Sequence, residues 1–211
     1  MTSIKYLDIN ALGDSVGAEK EDFVLPGGGV MTRRLWTPAD LLNAMPQVDA
    51  VSRDAGSIVV SGGAPTWAVG AIACRLRPYP LIYRAGDPSG DLPIPDLPMG
   101  EPDPAAGIKF SLLQKENRLM LEFLADDPSL PTTNGPHNYD LSRLKSVIVP
   151  AVPENVHLFI RSHGAFPVSM AISRAYAGKC RSIFMIFGDD EKFTCAASFC
   201  PEFSLGDRAE F

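Results

Sequence analysis

The run SIVVSGGAPTWAVGAIACRLRPYPLIYRAGDP, residues 57–88, decides the fold class. It opens on IVV, an apolar stretch without alternation, as a strand covered on both faces requires. The loop SGGAPT follows, and TWAVGAIACRL then carries small apolar residues at helical spacing, suited to close packing of a helix on a sheet. LIY is a second short apolar run. Strand, tight loop, helix and strand form the crossover unit of a parallel sheet, which makes this an α/β protein. Roughly 100 residues further on, HLFIRSHGAFPVSMAISRAYAGKCRSIFMIFGDD (157–190) reads the same way. Ser61, Gly63 and Ala64 align with Ser162, Gly164 and Ala165. One inserted residue, Phe166, brings Pro65 onto Pro167 and Asp87 onto Asp189.

The agreement extends backwards. WTPADLLNAMPQVDA (36–50) and YDLSRLKSVIVPAVP (139–153) are short helix patterns ending in proline-broken stretches, and IKYLDI (4–9) pairs with IKFSLL (108–113). In the second half a hairpin is explicit: 109–114 alternates, 115–118 turns, and 119–125 returns. Between the halves, DLPIPDLPMGEPDPAAG (91–107) has the proline density of an extended linker rather than a core element. The expected architecture is two tandem units, 1–90 and 108–211. Each has mainly parallel central strands, and an internal pseudo-two-fold axis relates them.

Composition bounds the function. With 211 residues, 45% hydrophobic and 21% charged, the chain is long enough to build real cores. No stretch approaches 18 consecutive apolar residues, so no membrane span is expected. The N-terminus MTSIKYLDINALGDS lacks a basic segment followed by an apolar one, so it does not read as a secretory leader, and a cytosolic protein is expected. Cys74, Cys180, Cys195 and Cys200 form no C-x-x-C pair and are expected as free thiols in a reducing compartment, with a structural zinc or a disulfide as the minor readings. The net charge of −6, with lysines and arginines scattered, argues against a long nucleic acid, whose binding needs many phosphate contacts. It does not argue against a nucleotide, because backbone amides and one or two arginines suffice for a small anion.

Open parallel sheets bind ligands at the carboxyl ends of their strands. Here those ends are Ser61, Gly62, Gly63, Ala64, Pro65 and Thr66 in one half, and Ser162, His163, Gly164, Ala165 and Phe166 in the other. A Ser-Gly loop that opens a helix offers unpaired N–H groups and the positive end of the helix dipole, which suits a phosphate. The competing reading is a tight turn with Ser61 or Ser162 as the N-cap. P-loop, G-x-G-x-x-G, G-x-S-x-G and H-E-x-x-H patterns are absent, and Gly27–Gly29 precedes no Lys-bearing helix. His157 starts a buried strand and reads as structural, while His137 follows Gly-Pro in a loop. His163 lies inside the loop itself, where it is a candidate phosphate donor or general acid. Asp87 and Asp189 are candidates for orienting a ribose hydroxyl, or ordinary turn residues. Trp67 and Phe166 are candidates for base stacking or for the core. Arg75, Arg77, Arg161 and Arg174 are the cations nearest the loops in sequence.

The run VVSGGAPTWAVGAIACRLRPYPLIY with its later GDPSG resembles the small ring nucleases associated with type III CRISPR systems, which carry a Ser-Gly-x-x-Pro-x-Trp loop and a later Asp-Pro. The likeness covers the first half and, more faintly, the second. VHLFIRSHGAFPVSMAISRAY is also similar to SAVED domains, which fuse two CARF-like halves. Both resemblances imply a cyclic oligoadenylate ligand of antiviral signalling, held across a two-fold axis, with no cofactor and no metal. The family's histidine in a His-Pro segment after the helix is replaced here by Arg77-Pro78, and by Gly178-Lys179 in the second half. Ring opening needs only that the ribose 2′-hydroxyl be held in line with its phosphodiester.

Three functions therefore stand. The chain is a ring nuclease, with His163, Asp87 and Asp189 as catalytic candidates. Alternatively it is a non-catalytic sensor, or it is a structural subunit whose proline-rich segment and tail CPEFSLGDRAEF are contact surfaces. A symmetric ligand is completed either within one chain or across a homodimer.

Overall fold

The computed structural model describes residues 3–24, 29–84, 90–125, 139–186 and 192–211. In the first half, strand β1 (Ser3–Asp8) leads into helix α1 (Ile9–Ser15), followed by the hairpin β2 (Glu19–Val24) and β3 (Val30–Leu35). Helix α2 (Pro38–Ser52), strand β4 (Ala55–Ser61), helix α3 (Thr66–Arg75) and strands β5 (Leu81–Arg84), β6 (Asp91–Ile94) and β7 (Met99–Gly100) come next. A 3-10 turn at Pro104–Ala106 precedes β8 (Ile108–Lys115) and β9 (Arg118–Ala125). A second 3-10 turn (Leu141–Ser146) leads to β10 (Val149–Pro150) and β11 (His157–His163). Helix α4 (Phe166–Tyr176), β12 (Ser182–Ile186), β13 (Phe193–Ser198) and β14 (Arg208–Ala209) complete the chain.

The protein is α/β, with parallel strands at the heart of both larger sheets. One sheet has the order β1-β4-β5-β6, the other β14-β13-β12-β11-β9-β8. In the first, β4 runs parallel to β1 and β5, and β6 closes the edge antiparallel. In the second, β11 runs parallel to β9 and β12, and β13 follows antiparallel. The apolar runs explain the central positions: Ile58, Val59 and Val60 of β4 are all buried, as are residues 157–160 of β11.

Several local expectations are refined. The 108–125 hairpin forms, with Lys115 paired to Arg118 and Glu116 in the left-handed region at φ 57°. The strand that β1 resembles in position is β9, the neighbour of β11, and not 108–113, which forms the outer edge strand β8. Residues 91–107 run extended but do not stand apart. Asp91–Ile94 pairs with β5, Met99–Gly100 pairs with β10, and Ile94, Leu97 and Ala106 are buried. Pro93 is tolerated because β6 is an edge strand with no further neighbour to bond. Helix α2 is longer than its pattern suggested and runs through Pro46. Thr37 and Asp40 close a reciprocal capping box at its start, with Pro38 in the first turn.

Helices α3 and α4 hold the two sheets together. Both are buried nearly all round: 67–73 in α3 and 167–174 in α4 are buried without a break. Helix α3 packs on α4 and reaches β12 and β13 of the other sheet. Gly70 permits this approach, since a Cβ there would lie 2.2 Å from Met185 Sδ and 3.0 Å from Ser173 Oγ. One apolar core thus runs from Leu7 to Ala196 through both halves. A smaller cluster of Phe159, Phe184, Phe193 and Cys195 lies on the outer face of the second sheet, covered by Phe203 and Phe211 of the tail. The tail residues 200–211, one candidate contact surface, are therefore in part a lid on the chain's own sheet. No helix among the described residues is long and apolar enough to cross a membrane.

Candidate functional site

The contacts between α3 and α4 fall in step along both helices. A Cβ on Gly63, before α3, would meet the Phe166 ring at the start of α4 at 2.7 Å. Midway, Gly70 lies against Ser173. At the far end Arg174 donates to the carbonyls of Leu76 (3.2 Å), Arg77 (3.3 Å) and Tyr79 (3.1 Å). The helices therefore run side by side in the same direction, and their N-termini open on one mouth. The two loops selected in the sequence are in contact there.

Neither serine caps its helix. The N-cap of α3 is Pro65 and that of α4 is Ala165, and neither makes a side-chain cap bond. Ser, Thr, Asp and Asn are the residues that satisfy the first-turn amides. Both helices thus begin without the acceptor a helix ordinarily supplies for itself, and their positive dipole ends lie together. The N-caps also correct the alignment of the loops. Pro65 corresponds to Ala165, whereas Pro167 is the second residue of α4 and corresponds to buried Trp67.

The expected site residues divide into three groups. Ser61, Gly62, Gly63, Pro65, Thr66, Ser162, Gly164, Ala165 and Phe166 are half-buried at the mouth, and Ala64 is buried there. Gly62 takes φ 80°, a conformation that favours glycine, and Gly63 is needed for the close approach of Phe166. The serines are not equivalent. By strand alternation Ser61 shares the face of Val59, away from the helix pair, beside Asp8 and Arg84 in register. Ser162 shares the face of core residue Ile160, toward the helices.

Two expected ligand contacts are corrected. Trp67 is fully buried in the core, because its aromatic ring is the largest apolar group of α3, so it has no face to offer a base. Arg77 follows α3 at its C-terminal end, about 15 Å from the loops at 1.5 Å per helical residue. There it lines a separate cavity of about 540 Å³ with Asp96, Arg174 and Lys179. Arg75 is also elsewhere, paired with Asp49 at 2.6 Å. Asp87 and Asp189 lie outside the described residues, as does His137, and of His163 only the backbone at the end of β11 is described.

Four mouth residues escaped the sequence reading. Asp8 caps α1, accepting from the amides of Asn10 and Ala11, and Asn10 Oδ1 in turn accepts from Gly63 N–H at 3.4 Å. Tyr83 donates to the Gly62 carbonyl at 3.4 Å, and burial pushes its phenol above the ordinary value. Arg84 binds Asp91 through two bonds of 2.7 Å and lies over the Tyr6 ring, 5.4 Å from its centroid. The D-I-N that follows β1 was a legible capping signal. The reach of Asn10 across 53 residues to Gly63 was not.

All four cysteines are free, and burial pushes the Cys180 and Cys195 thiols up to about 12. No protein-family model matches the chain, and no curated protein does.

Proposed function

We propose that this chain is a receptor for a cyclic oligoadenylate, held at the common mouth of α3 and α4, and that it linearises its ligand. The observation that carries the reading is the meeting of two uncapped helix N-termini, each preceded by a glycine-bearing strand-end loop, within one chain. Each helix start attracts one phosphate, and two starts side by side suit a ligand that repeats its phosphates about a symmetry axis. The in-step contacts of α3 and α4, and the shared parallel–parallel–antiparallel strand pattern, support a tandem pseudo-dimer with its axis along the helix pair. On this reading one chain binds one ligand, and a second copy is unnecessary.

The chemistry is in-line transesterification. The ribose 2′-hydroxyl gives its proton to solvent water and attacks the adjacent phosphorus, and the bond from phosphorus to the 5′-oxygen breaks as that oxygen takes up a proton. The products are a 2′,3′-cyclic phosphate and a 5′-hydroxyl. The main-chain amides of the mouth stabilise the charge that develops on the phosphoryl oxygens. His163 is the proposed proton donor to the leaving oxygen, and Asp87 and Asp189 orient ribose hydroxyls.

The test is incubation with cyclic tri-, tetra- and hexa-adenylate, followed by chromatography, on the wild type and on Thr66→Glu. A carboxylate in the first turn of α3 favours the helix but repels a bound anion. Linear products from one ring, lost in Thr66→Glu, are expected. Ligand retained intact would leave a sensor without turnover, and no retention of any ring would overturn the site.

A further inference from the structure

At the opposite end of β11 from the loops, His157 begins the strand directly across from Ser182 in β12. The imidazole is 3% exposed; Nδ1 lies 2.7 Å from Ser182 Oγ, and the Phe203 ring stands edge-on at 5.1 Å. Nε2 points to Glu202 Oε2 at 3.2 Å, and Cys200 Sγ is 3.8 Å from the same oxygen. The other carboxylate oxygen of Glu202 is held by Arg181 at 2.5 Å, which fixes Oε2 toward the histidine. One nitrogen, one sulfur and one oxygen thus lie within 4.8 Å of one another.

We propose that His157 Nε2, Cys200 Sγ and Glu202 Oε2 bind a borderline transition-metal cation of the Zn²⁺ class. Bond lengths of about 2.3 Å to sulfur and about 2.0–2.2 Å to nitrogen and oxygen place tetrahedral ligands roughly 3.4–3.6 Å apart, close to the 3.2 and 3.8 Å that separate Glu202 Oε2 from His157 Nε2 and Cys200 Sγ. The chemistry agrees with the geometry. With Nδ1–H donating to Ser182 Oγ, the Nε2 lone pair, the free carboxylate oxygen and the cysteine sulfur face one point, and a cation bound there takes the place of the thiol proton, which is released. Ser182 is then the outer-shell residue that fixes the tautomer and aims the ring. The fourth position faces solvent beside Glu202, whose side chain is 48% exposed, and takes water. The ion clips the tail 200–211 to the start of β11. It lies roughly 20 Å, the length of seven strand residues, from the mouth of α3 and α4, so it is independent of the proposed ligand chemistry.

The test is titration of chelator-stripped full-length protein with Co²⁺ as the spectroscopic probe. The expected result is one Co²⁺ per chain, with a thiolate-to-cobalt charge-transfer band and four-coordinate ligand-field bands, displaced by Zn²⁺. Cys200→Ser removes the charge-transfer band and weakens binding more than about 100-fold, beyond the 10–100-fold cost of an outer-shell change such as Ser182→Ala. In the wild type, Zn²⁺ protects Cys200 from alkylation. A wild type without the charge-transfer band, a band kept in Cys200→Ser, or Zn²⁺ protection of a different cysteine would each overturn the site.

Discussion

Gly70 shows how one residue couples the two halves. In a helix interior glycine costs about 1 kcal/mol relative to alanine, so propensity alone makes Gly70→Ala stabilising. A Cβ would, however, lie 2.2 Å from the sulfur of Met185, itself 1% exposed. Overpacking a filled core costs about 1–3 kcal/mol. Methionine yields more readily than a branched side chain, which keeps the cost near the middle of that range, about 2 kcal/mol, rather than at its top. A net loss of about 1 kcal/mol is expected by urea unfolding; a gain would mean that Met185 moves aside freely. Gly62 belongs to the same scale, because its φ of 80° is a backbone requirement that a turn motif announces without any knowledge of neighbours.

Among elements, the β2–β3 hairpin is attached to α1 by charge. Arg34 grips Asp14 with bonds of 2.9 and 2.8 Å, and Lys20 adds a contact at 3.0 Å. The hydrogen bond from Arg34, then that from Lys20, lowers the Asp14 carboxyl from 3.8 to about 2. A carboxyl lowered on folding favours the folded state when ionised. That contribution is complete above about pH 4 and is lost as pH falls from there through 2. Side-chain NMR should find Asp14 titrating near 2, returning toward the ordinary value in Arg34→Gln. The hairpin's own pairing was invisible beforehand, because EKEDFV and VMTRRL lack a clean two-residue period. The 108–125 hairpin was legible from its alternation and its short polar turn.

For the whole molecule, the seam between halves rests on Arg174. Its side chain is 2% exposed, and it bonds three carbonyls at the end of α3 and Asp96 at 2.9 Å. A cation at a helix C-terminus satisfies carbonyls that have no intrahelical partner and complements the dipole. Arg174→Met keeps the apolar stem but removes the charged donor to the Leu76, Arg77 and Tyr79 carbonyls, of which only that of Leu76 keeps a second bond, from the Tyr79 N–H. A loss of about 3 kcal/mol in global stability is expected by denaturant unfolding. A change below about 0.5 kcal/mol, the ordinary range for surface positions, would remove Arg174 from the seam.

What the sequence determined by itself was local. Continuous apolar runs marked β4 and β11, small apolar residues marked α3 and α4, and the Ser-Gly loops marked the strand ends that meet at the mouth. Those features depend on periodicity and on backbone conformation, which neighbours in the chain decide. The tertiary structure decided which groups face one another. It buried Trp67, carried Arg77 to the far end of α3, separated the faces of Ser61 and Ser162, and turned the proline-rich segment into an edge strand. It also gathered His157, Cys200 and Glu202 from a strand start and a turn some 43 residues later. Side-chain facing depends on strand register and helix crossing, set by packing across many residues, and no local pattern encodes it.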